Sequence, residues 1–111
     1  MKTLKNYVQL IGNLGQDVEL KEFDKGLKKA SFSIATTEYY KNNKGEKSEK
    51  TEWHNVVAWG NLAEKLSDGL VKGDKVLLQG SLTHRKYDDA SGITRYITEV
   101  VINDFIKFGK N

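Results

Sequence analysis

The chain of 111 residues contains no cysteine and no proline, and only two histidines and one methionine. Zero cysteines exclude disulfides, thiolate zinc sites and cysteine nucleophiles together. The two histidines, His54 and His84, lack supporting carboxylates at ligand spacing, so no metal site is expected. No apolar run approaches the ~20 residues needed to cross a bilayer. The opening residues M-K-T-L-K-N-Y also lack the apolar stretch and cleavage site of a secretory signal. The expectation is a chain that keeps out of membranes and stays in the compartment where it is made. There is no internal repeat or linker, and the length suits one domain spanning residues 1–111. The adjacent acids Asp88 and Asp89 lie in a D-D-A-S-G turn without a nucleophile or base beside them, so they read as turn formers and no enzyme is expected.

What is present is a set of alternating segments. Hydrophobic content of 38% with 30% charged residues fits a folded globular chain, and the net charge of +3 permits a polyanionic partner without requiring one. Residues 7–14 set Val8 and Leu10 against Tyr7, Gln9 and Ile11, then enter G-N-L-G, where a bulge or bend is expected. Residues 29–36 place Ala30, Phe32 and Ile34 on one face. Residues 41–50, K-N-N-K-G-E-K-S-E-K, hold no apolar side chain and predict a long mobile hairpin loop. Asn61 with Glu64 resembles a capping box ahead of a leucine stripe at Leu62, Leu66 and Leu70, with Gly73 as the helix stop. Residues 75–82 and 96–105 predict two more strands, joined by an extended hairpin whose tip lies at residues 88–92. Three strands, a helix and two strands, with long loops after strands two and four, is the order of an all-β, five-stranded OB-fold Greek-key barrel.

The third strand, T-E-W-H-N-V-V-A-W-G at residues 51–60, holds both tryptophans of the chain. Period-two alternation puts Trp53, Asn55, Val57 and Trp59 on one face, with His54, Val56 and Ala58 toward the core. Two large flat rings beside a polar amide suit a ligand with π-faces, unpaired nucleobases above all. A lone tryptophan on a strand is most often core; two on one face, with the core already supplied from the other, favour binding. Tyr87 stands beside Arg85 and Lys86 at the rim, an aromatic plane next to two cations. Phosphate neutralisation by cations is expected chiefly at Lys72, Arg85, Lys86 and Arg95. Lys41, Lys44, Lys47 and Lys50 are weaker candidates, diluted by Glu46 and Glu49.

With these segments in order, the chain resembles bacterial single-stranded DNA-binding proteins over nearly its whole length. The resemblance rests on V-Q-L-I-G-N-L-G-Q-D-V-E, F-S-I-A-T-T-E, T-E-W-H-N-V-V-A-W-G-N-L-A-E, L-V-K-G-D-K-V-L-L-Q-G-S-L, H-R-K-Y-D-D-A-S-G and R-Y-I-T-E-V-V. It implies an OB domain that coats single-stranded DNA in replication, recombination and repair, usually as a homotetramer and sometimes a dimer, in the cytoplasm at the nucleoid, with no cofactor. Carried over by position, it makes Trp53, Trp59, Tyr40 and Tyr87 the base-stacking residues, with tyrosine at two places where tryptophan is common in the family. It also puts His54 near the subunit interface. A primosomal-type accessory OB protein acting through protein contacts is the alternative; the retained aromatics favour the first reading. Family chains typically continue into a flexible tail with an acidic tip, whereas this sequence ends at F-G-K-N, so tail-mediated partners are not expected for these 111 residues.

Overall fold

A computed structural model describes residues 4–108. Residues 1–3 and 109–111, on which the expectations of a missing leader and a missing tail partly rest, lie outside the described residues. The elements run β1 Val8–Leu14, β2 Glu19–Glu22, β3 Lys28–Lys41, β4 Lys47–Trp59, α1 Asn61–Gly69, β5 Lys75–Asp88 and β6 Thr94–Lys107. The sheet order is β1-β5-β6-β4-β3-β2, and a further pairing of β1 with β3 closes β1, β3, β4, β5 and β6 into a barrel. β4 and β6 run parallel, every other pairing is antiparallel, and α1 sits between the third and fourth barrel strands. This is the expected all-β OB barrel.

The alternating apolar positions close its core. Ile34, Val56, Val76, Leu78, Val100 and Ile102 meet Leu66 and Leu70 from the helical segment. Each such side chain, fully withdrawn from water, contributes about 1.5–3 kcal/mol. α1 has nine residues, too few to persist alone, and is held by burying Ala63 and Leu66.

The start and end of this helix depart from expectation. Gly60, not Asn61, is the N-cap, with φ 69° and ψ −138°, and no side chain caps the end. The chain must reverse sharply out of β4, and only glycine enters that backbone region without a Cβ penalty. Glu64 instead reaches Lys28 on β3. The helix stops at Gly69, with the Leu70 N–H donating to the Leu66 carbonyl at 3.0 Å, and Gly73 serves the following turn.

Two further differences concern strands. β2, E-L-K-E, is exposed along its whole length and so carries no periodic signal; it forms as an edge ladder on β3, from Glu19 opposite Ser31 to Glu22 opposite Lys28. Half of residues 41–50 is strand rather than one long loop, because the backbone ladder of β3 and β4 continues without interruption to Lys41 opposite Lys47. Only the turn at residues 42–46 is left. Its Asn42 Oδ1 accepts the N–H groups of Lys44 and Glu46 at 2.9 and 3.0 Å. β3–β4 and β5–β6 therefore project as two long arms beyond the barrel, within principal extents of 56 × 41 × 29 Å. No helix among the described residues is long and apolar enough to cross a membrane.

Candidate nucleic-acid interface

Strand register decides which side chains share the outer face. In β4 these are Trp53, Asn55, Val57 and Trp59, directly opposite Ala35, Ser33, Ser31 and Lys29 of β3. The parallel pairing sets Asn55 beside Glu99 and Val57 beside Val101, and β6 in turn pairs with β5, so Ile97 and Arg95 lie opposite Arg85 and Tyr87. One continuous face thus carries Trp53, Trp59, Tyr87, Arg85 and Arg95. At its centre is an open concavity of about 280 Å³ lined by Lys29, Ser31, Asn55, Val57, Arg85 and Glu99, among others.

The tryptophans stand clear of the core, Trp53 at 61% and Trp59 at 43% exposure, while His54, Val56 and Ala58 turn inward. Val57 departs from the sequence expectation. It shares the tryptophan face but is only 3% exposed, because β6 lies alongside it and it becomes the concavity's floor. Trp53 is set by the G-N-L-G segment. A Cβ at Gly15 would lie 2.8 Å from Trp53 Cη2 and closer still to Cζ3, so only glycine lets the indole rest over this backbone.

The expected phosphate contacts fall into two groups. Arg85 already makes a double hydrogen bond to Glu99, Nε to Oε1 at 2.8 Å and Nη2 to Oε2 at 3.3 Å, and its guanidinium stands 5.7 Å from the Tyr87 ring centroid. The bond to Glu99 raises the Arg85 pKa above its ordinary value, against the opposing pull of burial. Glu99 is buried, so this cation neutralises the floor and orients Tyr87. Arg95 holds Asp89 at 2.9 Å in the β5–β6 turn, and that bond, ahead of the Ile93 and Ser91 amides, lowers the Asp89 pKa. Lys72 and Lys86 are exposed. Lys86 pairs across with Tyr96 and lies on the face opposite Tyr87.

Tyr40 is likewise exposed, at 53%, but the unbroken β3–β4 register places it on the reverse face from Trp53. Tyr39, opposite Glu49, is the tyrosine on the tryptophan face. His54 is half-buried on the reverse face, its Nε2 2.9 Å from Thr36 Oγ1. His84 Nδ1 lies 2.9 Å from Thr98 Oγ1. Among the described residues no group of His, Asp and Glu could hold a metal. Asp88 and Asp89 both serve the hairpin end, accepting from Thr94 Oγ1 and from the Ser91 and Ile93 amides.

Phe23, which follows β2, stacks against Trp59 with centroids 6.3 Å apart and planes 30° from parallel, while Lys29 Nζ sits 5.4 Å from the Trp59 centroid. Sequence reasoning passed over Phe23, since it lies in a turn with no periodicity to assign it a face. The exposed aromatic ahead of D-K-G is the one signal that could have found it.

The model of the single-strand binding protein family matches residues 5–108. A curated single-stranded DNA-binding protein of Bacteroides thetaiotaomicron is 46% identical over 101 residues, which are 89% of this chain and 63% of the relative. The chain thus spans less than two thirds of that relative's length. A solved Plasmodium falciparum SSB complex with ssDNA superposes with a TM-score of 0.86 at 34% identity, covering 98% of each chain. On these matches, together with the barrel and its open aromatic face, the chain belongs to the single-strand binding protein family.

Proposed function

We propose that the outer face of β3, β4, β5 and β6 binds single-stranded DNA with little sequence preference, protecting strands opened in replication, recombination and repair. The observation that carries this reading is the pair Trp53 and Trp59, exposed on one face of one strand beside a polar floor. Six residues of strand separate them by about 20 Å, which suits a chain of unstacked bases better than one small ligand. Every base has a π-face, and a stacked base is worth about 1–3 kcal/mol. Affinity gathered this way is indifferent to sequence. Tyr87, held beside Arg85, supplies a third platform on the same face. Tyr40 joins as a fourth where the strand passes around the β3–β4 arm. Exposed Lys72 and Lys86 take phosphates, whereas Arg85 and Arg95 are already engaged by Glu99 and Asp89. The protein acts by binding, without a cofactor or a catalytic step, as a cytoplasmic homotetramer in which His54 lies close to a subunit interface.

The test is a titration of tryptophan fluorescence with oligo-dT and with duplex DNA of equal length, at two salt concentrations. Strong quenching by the single strand alone, weakening with salt at about −0.7 per phosphate on logarithmic axes, is expected. Equal affinity for duplex, or unchanged binding by the Trp53→Ala, Trp59→Ala double variant, would remove the reading. Light scattering of the unchanged protein reports the assembly.

A further inference from the structure

Three hairpins of this chain close with the same five-residue turn. In each, the first residue's N–H donates to the carbonyl of the fifth, and the N–H of the fourth, a glycine with φ between 76° and 79°, donates back to the first. The turns are 23–27, 42–46 and 89–93. In the second and third the first residue is Asn42 or Asp89, whose side-chain Oδ1 accepts two turn amides. In the first it is Phe23, which accepts none. The loss shows in the backbone: Lys25, at the position of Lys44 and Ser91, has φ 69° and is the one non-glycine residue with positive φ among those described. A residue in that region is strained. The sequence therefore gives up the side-chain bonds that the other two turns use, and holds a phenyl ring there instead.

That ring does not fill the core. Phe23 is 46% exposed and lies on the open side of Trp59. Next to it, Lys21 of β2 stands directly opposite Lys29 of β3, which stands directly opposite Trp59 of β4, all on the outer face. Like charges directly opposite each other destabilise a sheet. The nearest anion, Glu19, is 3.7 Å from Lys21 with both groups exposed, an ion pair of little weight, while Lys29 faces only the indole ring. Its neighbour Lys28, by contrast, is engaged by Glu64 of the helix. Two exposed rings side by side with two cations, one held only by a weak exposed ion pair and the other by none among the described residues, are complementary to one nucleotide.

Resting on the single-strand reading above, we propose that Phe23, Trp59, Lys21 and Lys29 form a distinct end subsite of the groove. One base stacks on the joined Phe23–Trp59 surface, and its phosphate lies between the two lysines. The β2–β3 turn is a binding element, and Phe23 is its contact residue.

The experiment uses the full chain and oligo-dT in which a single abasic residue is moved along the strand, measured for the unchanged protein, Phe23→Asn and Phe23→Tyr. Phe23→Asn restores the side chain found in the 42–46 turn, so its melting temperature is expected to hold or rise. Its affinity for intact oligo-dT should nevertheless fall about tenfold, within the range of one stacked base. The abasic penalty at one position near an end of the footprint should vanish in Phe23→Asn, persist in Phe23→Tyr, and stay unchanged elsewhere. Lys21→Gln with Lys29→Gln should reduce the logarithmic salt slope by about one phosphate's 0.7. Unchanged affinity in Phe23→Asn, or weakened binding with every abasic penalty intact, overturns the subsite while leaving the groove standing. Failure of the unchanged protein to prefer oligo-dT over duplex overturns both.

Discussion

The two arms of the barrel end in the same turn and treat charge in opposite ways. In the β3–β4 arm the turn is capped by neutral Asn42, and Lys41 and Lys47 stand directly opposite each other at its base with Lys44 in the tip. In the β5–β6 arm the turn is capped by anionic Asp89, which Arg95 neutralises, and Arg85 is clamped to Glu99 further down. Counted in sequence the second arm has the better phosphate ligands, two arginines beside a tyrosine. In three dimensions its arginines hold the arm and the floor together, while the first arm's Lys41, Lys44 and Lys47 make no ion pair among the described residues. A cation's availability to a ligand is set by its partners in the folded chain, not by its abundance.

The largest contrast lies in the aromatic platforms. Trp53→Ala with Trp59→Ala on the first arm and its base should lower oligo-dT affinity by about 2–6 kcal/mol, against about 1–3 kcal/mol for Tyr87→Ala on the second. Equal losses by fluorescence anisotropy would erase the distinction between the arms. Next, replacing Lys41, Lys44 and Lys47 by Gln should flatten the logarithmic salt slope by about 2, at 0.7 for each phosphate lost. Arg95→Gln should leave that slope nearly unchanged, and the reverse pattern would invert the comparison.

A smaller effect is expected from Arg85→Ala, which leaves the buried Glu99 carboxylate without its double donor. Urea unfolding should show a loss of about 1–2 kcal/mol, the roughly 1.5–3 kcal/mol of a hydrogen bond to a charged group discounted because the arginine is half exposed. No loss would mean that Arg85 is free for DNA after all. The smallest effect concerns pH. Arg95 holds the Asp89 carboxyl below the usual carboxylate range. A depressed folded-state pKa adds stability above the unfolded value near 3.9 and loses it as pH falls through the lower folded value. Amide exchange at Ser91 and Ile93 should therefore accelerate under acid below about pH 4, an effect that Asp89→Asn abolishes. The matching amides of Lys44 and Glu46, bound by neutral Asn42, should show no such step.

Much of the barrel was legible because burial writes alternation into a strand. Val56 and Ala58 declared the inner face of β4, and Ala30, Phe32 and Ile34 that of β3. The arms were not, since a ladder in water is held by backbone hydrogen bonds and leaves no apolar period in K-N-N-K-G-E-K-S-E-K. β2 escaped for the same reason. The helix cap was misassigned to Asn61 because a capping-box pattern carries no information about the reversal that Gly60 has to make. Among the proposed contacts, Trp53 and Trp59 could be placed on one face from spacing alone. Tyr40 rests on the resemblance to the family, and its place on the reverse face follows only from the β3–β4 pairing that the neighbouring turn at Asn42 closes.

The amino-acid sequence by itself determined the barrel, its inner faces, and a strand presenting two indoles outward, because side-chain alternation is a local property of the extended chain. Tertiary structure alone decided which cations are already neutralised, which tyrosine shares the tryptophan face, and that Phe23 meets Trp59. Those outcomes depend on cross-strand register, which brings together partners from six residues apart, as Arg95 and Asp89, to thirty-six, as Phe23 and Trp59.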